Sequence, residues 1–198
     1  LALANDVKIG AHPSFPDREN FGRTEMDLPN NELTTIIIGQ VMRLKILVEK
    51  AGGRLHHVKL HGALYNMAAV NDSTAEAVLD AMAPFDKSLV LYVPFGSVIA
   101  KKALERKQPI KYEAFADRNY NDDLTLVSRK LDNAVMEDPA LITAHVVRMV
   151  KDKKVKTING NLATIEAGTF CVHGDNPHAV RIVSQLAENL KKFSVGIE

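Results

Sequence analysis

Short apolar runs alternate with longer amphipathic stretches along this chain, a pattern typical of strands alternating with helices. Five apolar runs are predicted strands, and they begin near Val7 and at Leu55, Leu89, Ile110 and Thr169. A stretch with the helical spacing of apolar residues follows each run. Because parallel strands need a crossover between them, this alternation predicts an α/β fold with a parallel sheet. We find no linker or repeat that would divide the chain into separate domains.

The amphipathic stretches predict five main helices, at 31–50, 73–82, 98–107, 139–153 and from about 177 onward. Their predicted caps are Asn30 or Asn31, Asp72 or Ser73, Ser97, and Asp175 or Asn176, with Pro139 and Pro177 in the first turns of the last two helices. The last helix is predicted to bury Val180, Val183, Leu186 and Leu190. Two short runs around Asn159-Gly160 predict a small hairpin.

Polar residues stand where the predicted strands end. His12, His61 and His173 each follow an apolar run and precede Pro or Gly, and Asp117 and Arg118 follow the fourth strand. Since the carboxyl ends of parallel strands share one edge, these residues predict a common pocket. Three such histidines could bind a divalent metal or share acid–base work. The alternative for each one is a hydrogen bond to loop backbone.

Acid–base chemistry is favoured over metal ligation. His57 and His61 have the HxxxH spacing, but on a predicted strand four residues span roughly 13 Å, too far for one ion. A metal site assembled from distant histidines stays open. Asp117 could act as a general base and Arg118 could hold an anion.

Asp175 is predicted to be either a plain helix cap or a cap that also orients His173. The sequence does not decide whether Lys59 points into the sheet interior or outward. Arg23 and Arg129 lie in long loops, where exposure to solvent is the default expectation.

Composition excludes several classes of protein. The 198 residues are 46% hydrophobic and 25% charged, with 25 Lys and Arg against 24 Asp and Glu, a net charge of +1. This balance argues against nucleic-acid binding. No apolar stretch approaches the roughly 18 residues of a membrane span, so we expect no membrane partner. A single cysteine excludes an internal disulfide framework and favours the cytoplasm. Standard nucleotide-binding glycine motifs are absent from the sequence.

Longer motifs resemble a known family. The matching segments are 10–17, 21–23, 58–66, 115–123 and 171–180. They resemble motifs of the LamB/YcsF family, and they occur in the same order along the whole chain. Members of this family are the A subunits of bacterial 5-oxoprolinase, also known as lactam utilisation proteins. The resemblance implies a single domain, 1–198, with a distorted TIM-like parallel barrel of the glycoside hydrolase/deacetylase type. The family pattern has two further strand–helix motifs before the position of Leu1, so we expect an incomplete barrel, and the activity of this chain by itself stays open.

The resemblance also implies an activity. It is the ATP-dependent hydrolysis of 5-oxo-L-proline to L-glutamate in the bacterial cytoplasm, with ATP as co-substrate. The implied partners are subunits B and C, and assembly into a homo-oligomer is left open. The implied catalytic residues are His12, His61, Asp117 and His173, and the implied substrate-binding residues are Lys59, Arg118 and Asp175. Two alternatives stand beside this hypothesis: a divalent-metal-dependent deacetylase-like hydrolase, and a substrate-binding subunit without catalysis.

Overall fold

The computed structural model describes residues 1–176 and 178–197, and the chain forms two compact units, Leu1–Lys111 and Tyr112–Glu198. The first unit contains a 3-10 helix (Leu3–Asn5), β1 (Ile9–Ala11), α1 (Asn30–Lys50), β2 (Leu55–Lys59), α2 (Gly62–Val70), α3 (Asp72–Met82), β3 (Val90–Pro94) and α4 (Val98–Glu105). The boundary between the units falls within β4 (Ile110–Phe115), and α5 (Pro139–Lys151), β5 (Lys154–Lys156), β6 (Leu162–Thr164), β7 (Thr169–Cys171) and α6 (Ala179–Lys192) follow it.

The first unit has three parallel strands in the order β1-β2-β3. Ala11 is paired with Val58, and Lys59 with Tyr92, so the ends of these strands lie level. Helices α1 and α3 pack together, and the residues with no exposed surface include Ile37, Val41, Val58, Val78 and Leu91. Burial of these β-branched and leucine side chains is the main stabilising contribution in this unit.

The second unit pairs β4 with β7 in parallel, with Phe115 opposite Cys171. Strands β5 and β6 form the predicted antiparallel hairpin around Asn159-Gly160. A long loop joins β4 to α5, and the Asp122 carboxylate in it accepts hydrogen bonds from the hairpin side chains of Asn159 and Asn161. The predicted parallel α/β fold is confirmed, since all three pairings of the predicted strands that are described here are parallel.

Several local predictions are wrong. Asn30 and Asn31 lie inside α1, which begins after Pro29, so neither caps it. Asn71 caps α3, with its side chain accepting from the Thr74 amide, while the Ser97 cap of α4 is confirmed. Helix α2 was not predicted. It begins at Gly62, whose φ of +58° favours glycine, and no capping side chain marks its start.

The buried face of α6 is also not the predicted one. Ile182, Leu186 and Leu190 are buried, whereas Val180 and Val183 are 83% and 50% exposed. Residues spaced by four form a single ridge along a helix, and Ile182 begins that ridge here. The predicted cap of α6, Asp175 or Asn176, is wrong, because α6 begins after His178. The predicted first-turn residue Pro177 lies outside the described residues. Within the part of the chain that the structure describes, none of the helices combines the length and apolar character needed to cross a membrane.

Candidate active site

Asp117 and His173 meet just beyond the paired ends of β4 and β7. The His173 Nδ1 atom lies 2.9 Å from Oδ1 and 3.1 Å from Oδ2 of Asp117, and the His173 backbone amide donates to Oδ2 at 2.9 Å. The Asp117 side chain has no exposed surface, and the His173 side chain is 22% exposed. Because an ionised carboxylate only accepts, Nδ1 carries the hydrogen and Nε2 of neutral His173 is the proton acceptor.

The charge state of Asp117 follows from two opposing effects. Burial raises the pKa of this carboxyl group, because it removes the charged form from water. The hydrogen bonds from the His173 ring and the His173 amide outweigh burial, and the pKa of Asp117 is lower than usual. Asp117 is therefore ionised at neutral pH and holds the His173 ring in one orientation and tautomer.

A cavity of about 200 Å³ lies beside this pair. It is lined by Asp117, Arg129, Val135, Glu137, His173, Asp175 and Asn176. Arg129 Nη1 lies 3.7 Å from Asp175 Oδ2, which places a guanidinium and a carboxylate together at the cavity wall. The Asn176 side-chain Nδ2 is buried there without a hydrogen-bond partner among the described residues. The cavity wall thus contains a proton acceptor (His173), a cation (Arg129), carboxylate groups and the amide group of Asn176.

Arg118 is placed differently from Arg129. It is 5% exposed, and its Nε and Nη2 atoms donate to the carbonyl oxygens of Ala134 and Val127 at 3.1 and 2.6 Å. These bonds close the long loop on itself, and the Met136 amide also donates to the Asp117 carbonyl at 2.9 Å. Arg118 thus shapes the loop that carries Arg129 and Glu137 to the cavity. Its binding of substrate stays a prediction.

His145 is a buried histidine behind this loop that the sequence pattern did not single out. It lies on the inner side of α5 with its ring 6.0 Å from that of Tyr120, whose hydroxyl accepts from the Phe115 amide at 2.7 Å. Burial lowers the pKa of His145 to about 4, so the ring is neutral at physiological pH. An amphipathic helix normally buries apolar residues, and only the packing of the loop against α5 reveals this position.

In the first unit the structure brings His12 and His61 together. His12 Nε2 lies 3.0 Å from His61 Nδ1, and the two rings meet nearly at right angles. The His12 Nδ1 atom donates to the Lys59 carbonyl and His61 Nε2 donates to the Phe21 carbonyl, each at 2.7 Å. The Lys59 ammonium lies 5.8 Å from the centre of the Tyr65 ring.

The predicted site residues therefore form two groups, one in each unit. His12, Lys59 and His61 belong to the first group, and Asp117, Arg118, His173 and Asp175 to the second. Among residues 1–176 and 178–197, the structure contains no cluster of three or more His, Cys, Asp or Glu side chains that could hold a metal ion. His57, the other half of the HxxxH spacing, instead stacks on Tyr92 with ring centres 4.1 Å apart.

The fold and the site define a parallel α/β protein with polar side chains at the carboxyl ends of its strands, including a histidine–aspartate pair of the kind used in acid–base chemistry. The chain belongs to the LamB/YcsF family, which matches residues 1–198.

Two relatives illustrate the similarity. The chain is similar to the 5-oxoprolinase A subunit of Heliobacterium modesticaldum, at 45% identity over 197 residues, covering 100% of this chain and 78% of that protein. It is 43% identical to the 5-oxoprolinase A subunit of Pyrococcus horikoshii, covering 100% of this chain and 77% of that protein. The structure of the lactam utilization protein from Thermus thermophilus matches with a TM-score of 0.91 and 34% identity, covering 100% of this chain and 78% of that one. The family resemblance noted in the sequence is confirmed.

Proposed function

We propose that this chain is the A subunit of an ATP-dependent hydrolase that opens the cyclic amide of 5-oxo-L-proline to L-glutamate, working in the cytoplasm with partner subunits B and C. The observation that carries the proposal is the Asp117–His173 pair at the wall of a polar cavity. The relatives, which are named as A subunits of 5-oxoprolinase, supply the substrate.

The proposed chemistry follows from the stability of a lactam. Amide resonance and the closeness of the product amine both favour the closed ring, so hydrolysis needs a driving force. Phosphorylation of the amide oxygen by ATP would activate the ring carbon. Water then adds to that carbon and the C–N bond breaks as the nitrogen takes up a proton, which gives γ-glutamyl phosphate. A second water hydrolyses this acyl phosphate to glutamate and phosphate, with ADP as the other product. In this scheme His173 Nε2 accepts the proton of the attacking water.

Asp117 and Arg129 support this step in different ways. Asp117 keeps the Nδ1 hydrogen of His173 in place and stabilises the imidazolium that forms, the role of the carboxylate in a His–Asp pair. The Arg129 guanidinium would hold a carboxylate or phosphate oxygen of the substrate, as planar guanidinium groups do. Asp175 lies 3.7 Å from this guanidinium and would orient it.

The test is reconstitution of the full chain with the partner subunits. We expect glutamate release from 5-oxoproline that requires ATP. His173→Gln should lower kcat by roughly 100-fold or more, the usual contribution of a general base. The exposed His178, substituted by Gln, serves as the control and should leave turnover unchanged.

Three results would contradict the proposal. Turnover abolished by a chelator and restored by a divalent metal, with no need for ATP, would favour the metal-dependent hydrolase. Binding of 5-oxoproline that is unaffected by His173→Gln, with equal turnover of the two proteins, would favour a chain that only binds substrate. Absence of both binding and turnover would reject the substrate itself.

A further inference from the structure

Asn176 has a hydrogen-bond donor at the cavity of the second unit that no described residue uses. The His178 backbone amide donates to Asn176 Oδ1 at 2.9 Å. Because a backbone N–H can only donate, this bond fixes the orientation of the side-chain amide and makes Nδ2 its donor end. Nδ2 is buried and has no acceptor in the part of the chain that the structure describes. A buried donor without an acceptor costs free energy, which a ligand oxygen in the cavity would recover.

Glu137 supplies the opposite kind of group, an acceptor, at the same cavity. The other two carboxylates of the cavity wall have partners. Asp117 is hydrogen-bonded to His173, and Asp175 lies beside the Arg129 guanidinium. The Glu137 carboxylate forms no hydrogen bond or ion pair with the residues that the structure describes. It is therefore the carboxylate of this cavity that is left for a donor on a ligand.

The backbone on both sides of Glu137 is held in place. The preceding residue, Met136, donates its amide to the Asp117 carbonyl at 2.9 Å. The following residue, Asp138, caps α5, and its side chain accepts from the Ala140 amide at 2.8 Å. The Glu137 side chain itself is exposed, so its removal leaves the core intact.

We propose that Asn176 and Glu137 together recognise the amide edge of a lactam ring. A five-membered ring holds its planar amide in the cis form, so the C=O and N–H groups point to the same side. Asn176 Nδ2 donates to the ring carbonyl oxygen, and the Glu137 carboxylate accepts from the ring N–H. The two residues determine specificity and leave proton transfer to His173. The inference rests on the proposed function, whose substrate recognition it describes in more detail.

The remaining features of the cavity suit the rest of such a ring. Its volume of about 200 Å³ lies below the roughly 300–1,000 Å³ of sites for drug-sized ligands, so it suits a small ring. Val135 offers apolar surface to the ring methylene groups, and Arg129 is the cation for the ring carboxylate. Each polar group of 5-oxo-L-proline thus has a counterpart of the opposite hydrogen-bonding type in the cavity wall.

Calorimetric binding to the reconstituted complex, without ATP so that no ligand is consumed, tests the proposal with three ring acids. 5-Oxo-L-proline has both groups. In 3-oxocyclopentane-1-carboxylate of matching configuration a CH₂ group replaces only the N–H, and cyclopentanecarboxylate also lacks the carbonyl oxygen. We expect each step in this series to weaken binding at least about tenfold, because a group in the site then loses its partner.

Two variants assign the two preferences to residues. Glu137→Ala should reduce the preference for the lactam over the ketone to within about threefold and preserve the preference for the ketone over cyclopentanecarboxylate. Asn176→Ser should do the reverse, since a serine hydroxyl can still accept from the His178 amide but the Nδ2 donor is gone. Glu166→Ala and Asn133→Ser, at exposed positions outside the cavity, should behave as wild type.

A wild-type complex with no preference among the three acids would overturn the proposal, and that result does not depend on the folding of any variant. Preferences that Glu137→Ala and Asn176→Ser both leave unchanged would overturn it as well. In either case, ATP-dependent glutamate release by the same complex would leave the proposed function standing. A complex that neither binds 5-oxo-L-proline nor releases glutamate would reject the proposed function and this inference together.

Discussion

Acidification should destabilise the second unit through His145. This ring is 5% exposed, and its folded-state pKa is about 4 against 6.5 for the ordinary group. A depressed histidine pKa means that the unfolded chain binds the proton better. The stabilising contribution is therefore complete above about pH 6.5 and is lost as the pH falls toward 4.

The magnitude follows from the two pKa values. They differ by about 2.5, and each pH unit corresponds to about 1.36 kcal/mol, so the largest loss is about 3 kcal/mol. At about pH 4.5, two units below the unfolded value, the loss from this one group is roughly 2 to 3 kcal/mol. This is a substantial share of the stability of an ordinary domain.

The assay is urea unfolding followed by circular dichroism, at about pH 7 and about pH 4.5, for wild type and His145→Phe. Phenylalanine keeps a ring beside Tyr120 but cannot take up a proton. The loss of unfolding free energy between the two pH values should be smaller in the variant by roughly 2 to 3 kcal/mol. His57 titrates similarly in both proteins and cancels. An equal loss in wild type and His145→Phe would refute the reasoning, and His178→Phe, altered at an exposed site, should behave as wild type.

Three further substitutions probe a tight turn, the long loop and a surface ion pair. Gly62→Ala should lower the free energy of unfolding, measured by thermal unfolding, by more than about 2 kcal/mol. The new Cβ would lie 2.4 Å from the Gly22 carbonyl oxygen, at a φ of +58°. The control Gly96→Ala has a φ of +72° but open space around the new Cβ, and it should cost only about 1 kcal/mol. Arg118→Lys should speed amide exchange at 119 and 127 at least about tenfold by loosening the loop, and protection equal to wild type would contradict its role. Lys102→Met should cost under about 1 kcal/mol, since its bonds to acidic residues of α3 lie at the surface; a larger loss in urea unfolding would contradict this.

The arrangement of strands and helices could be predicted from the sequence because hydrophobic periodicity records burial directly. The same reasoning placed His12, His61, Asp117 and His173 at strand ends. Neighbouring parallel strands end level, and the structure joins these residues in two hydrogen-bonded pairs.

The wrong predictions concern features that are decided by tertiary packing and not by the periodicity of apolar residues. The buried face of α6 depends on which ridge meets α5, and Val180 is as apolar as Ile182 although only the latter is buried. Arg118 and Arg129 are equivalent as residue types in one long loop. Only the folded loop shows that Arg118 donates hydrogen bonds to carbonyl groups of the loop, whereas Arg129 lines the cavity.

The contact between His12 and His61 could not be predicted either. It depends on two backbone carbonyl groups, those of Lys59 and Phe21, and on the distance between two rings that are 49 residues apart in sequence. Residue type and position alone do not contain that information.

Asp117→Asn in the reconstituted complex tests the central claim most directly. The amide keeps the size of the carboxylate but has no charge and only one acceptor oxygen. The His173 backbone amide and ring Nδ1 compete for that oxygen, and the protonated ring loses the negative charge that stabilises it. We predict a fall in kcat for ATP-dependent glutamate release of at least about 100-fold, with KM for 5-oxoproline changed less than about threefold. Asp132→Asn, at an exposed position of the same loop, should match wild type. A kcat for Asp117→Asn within about twofold of wild type would contradict the account.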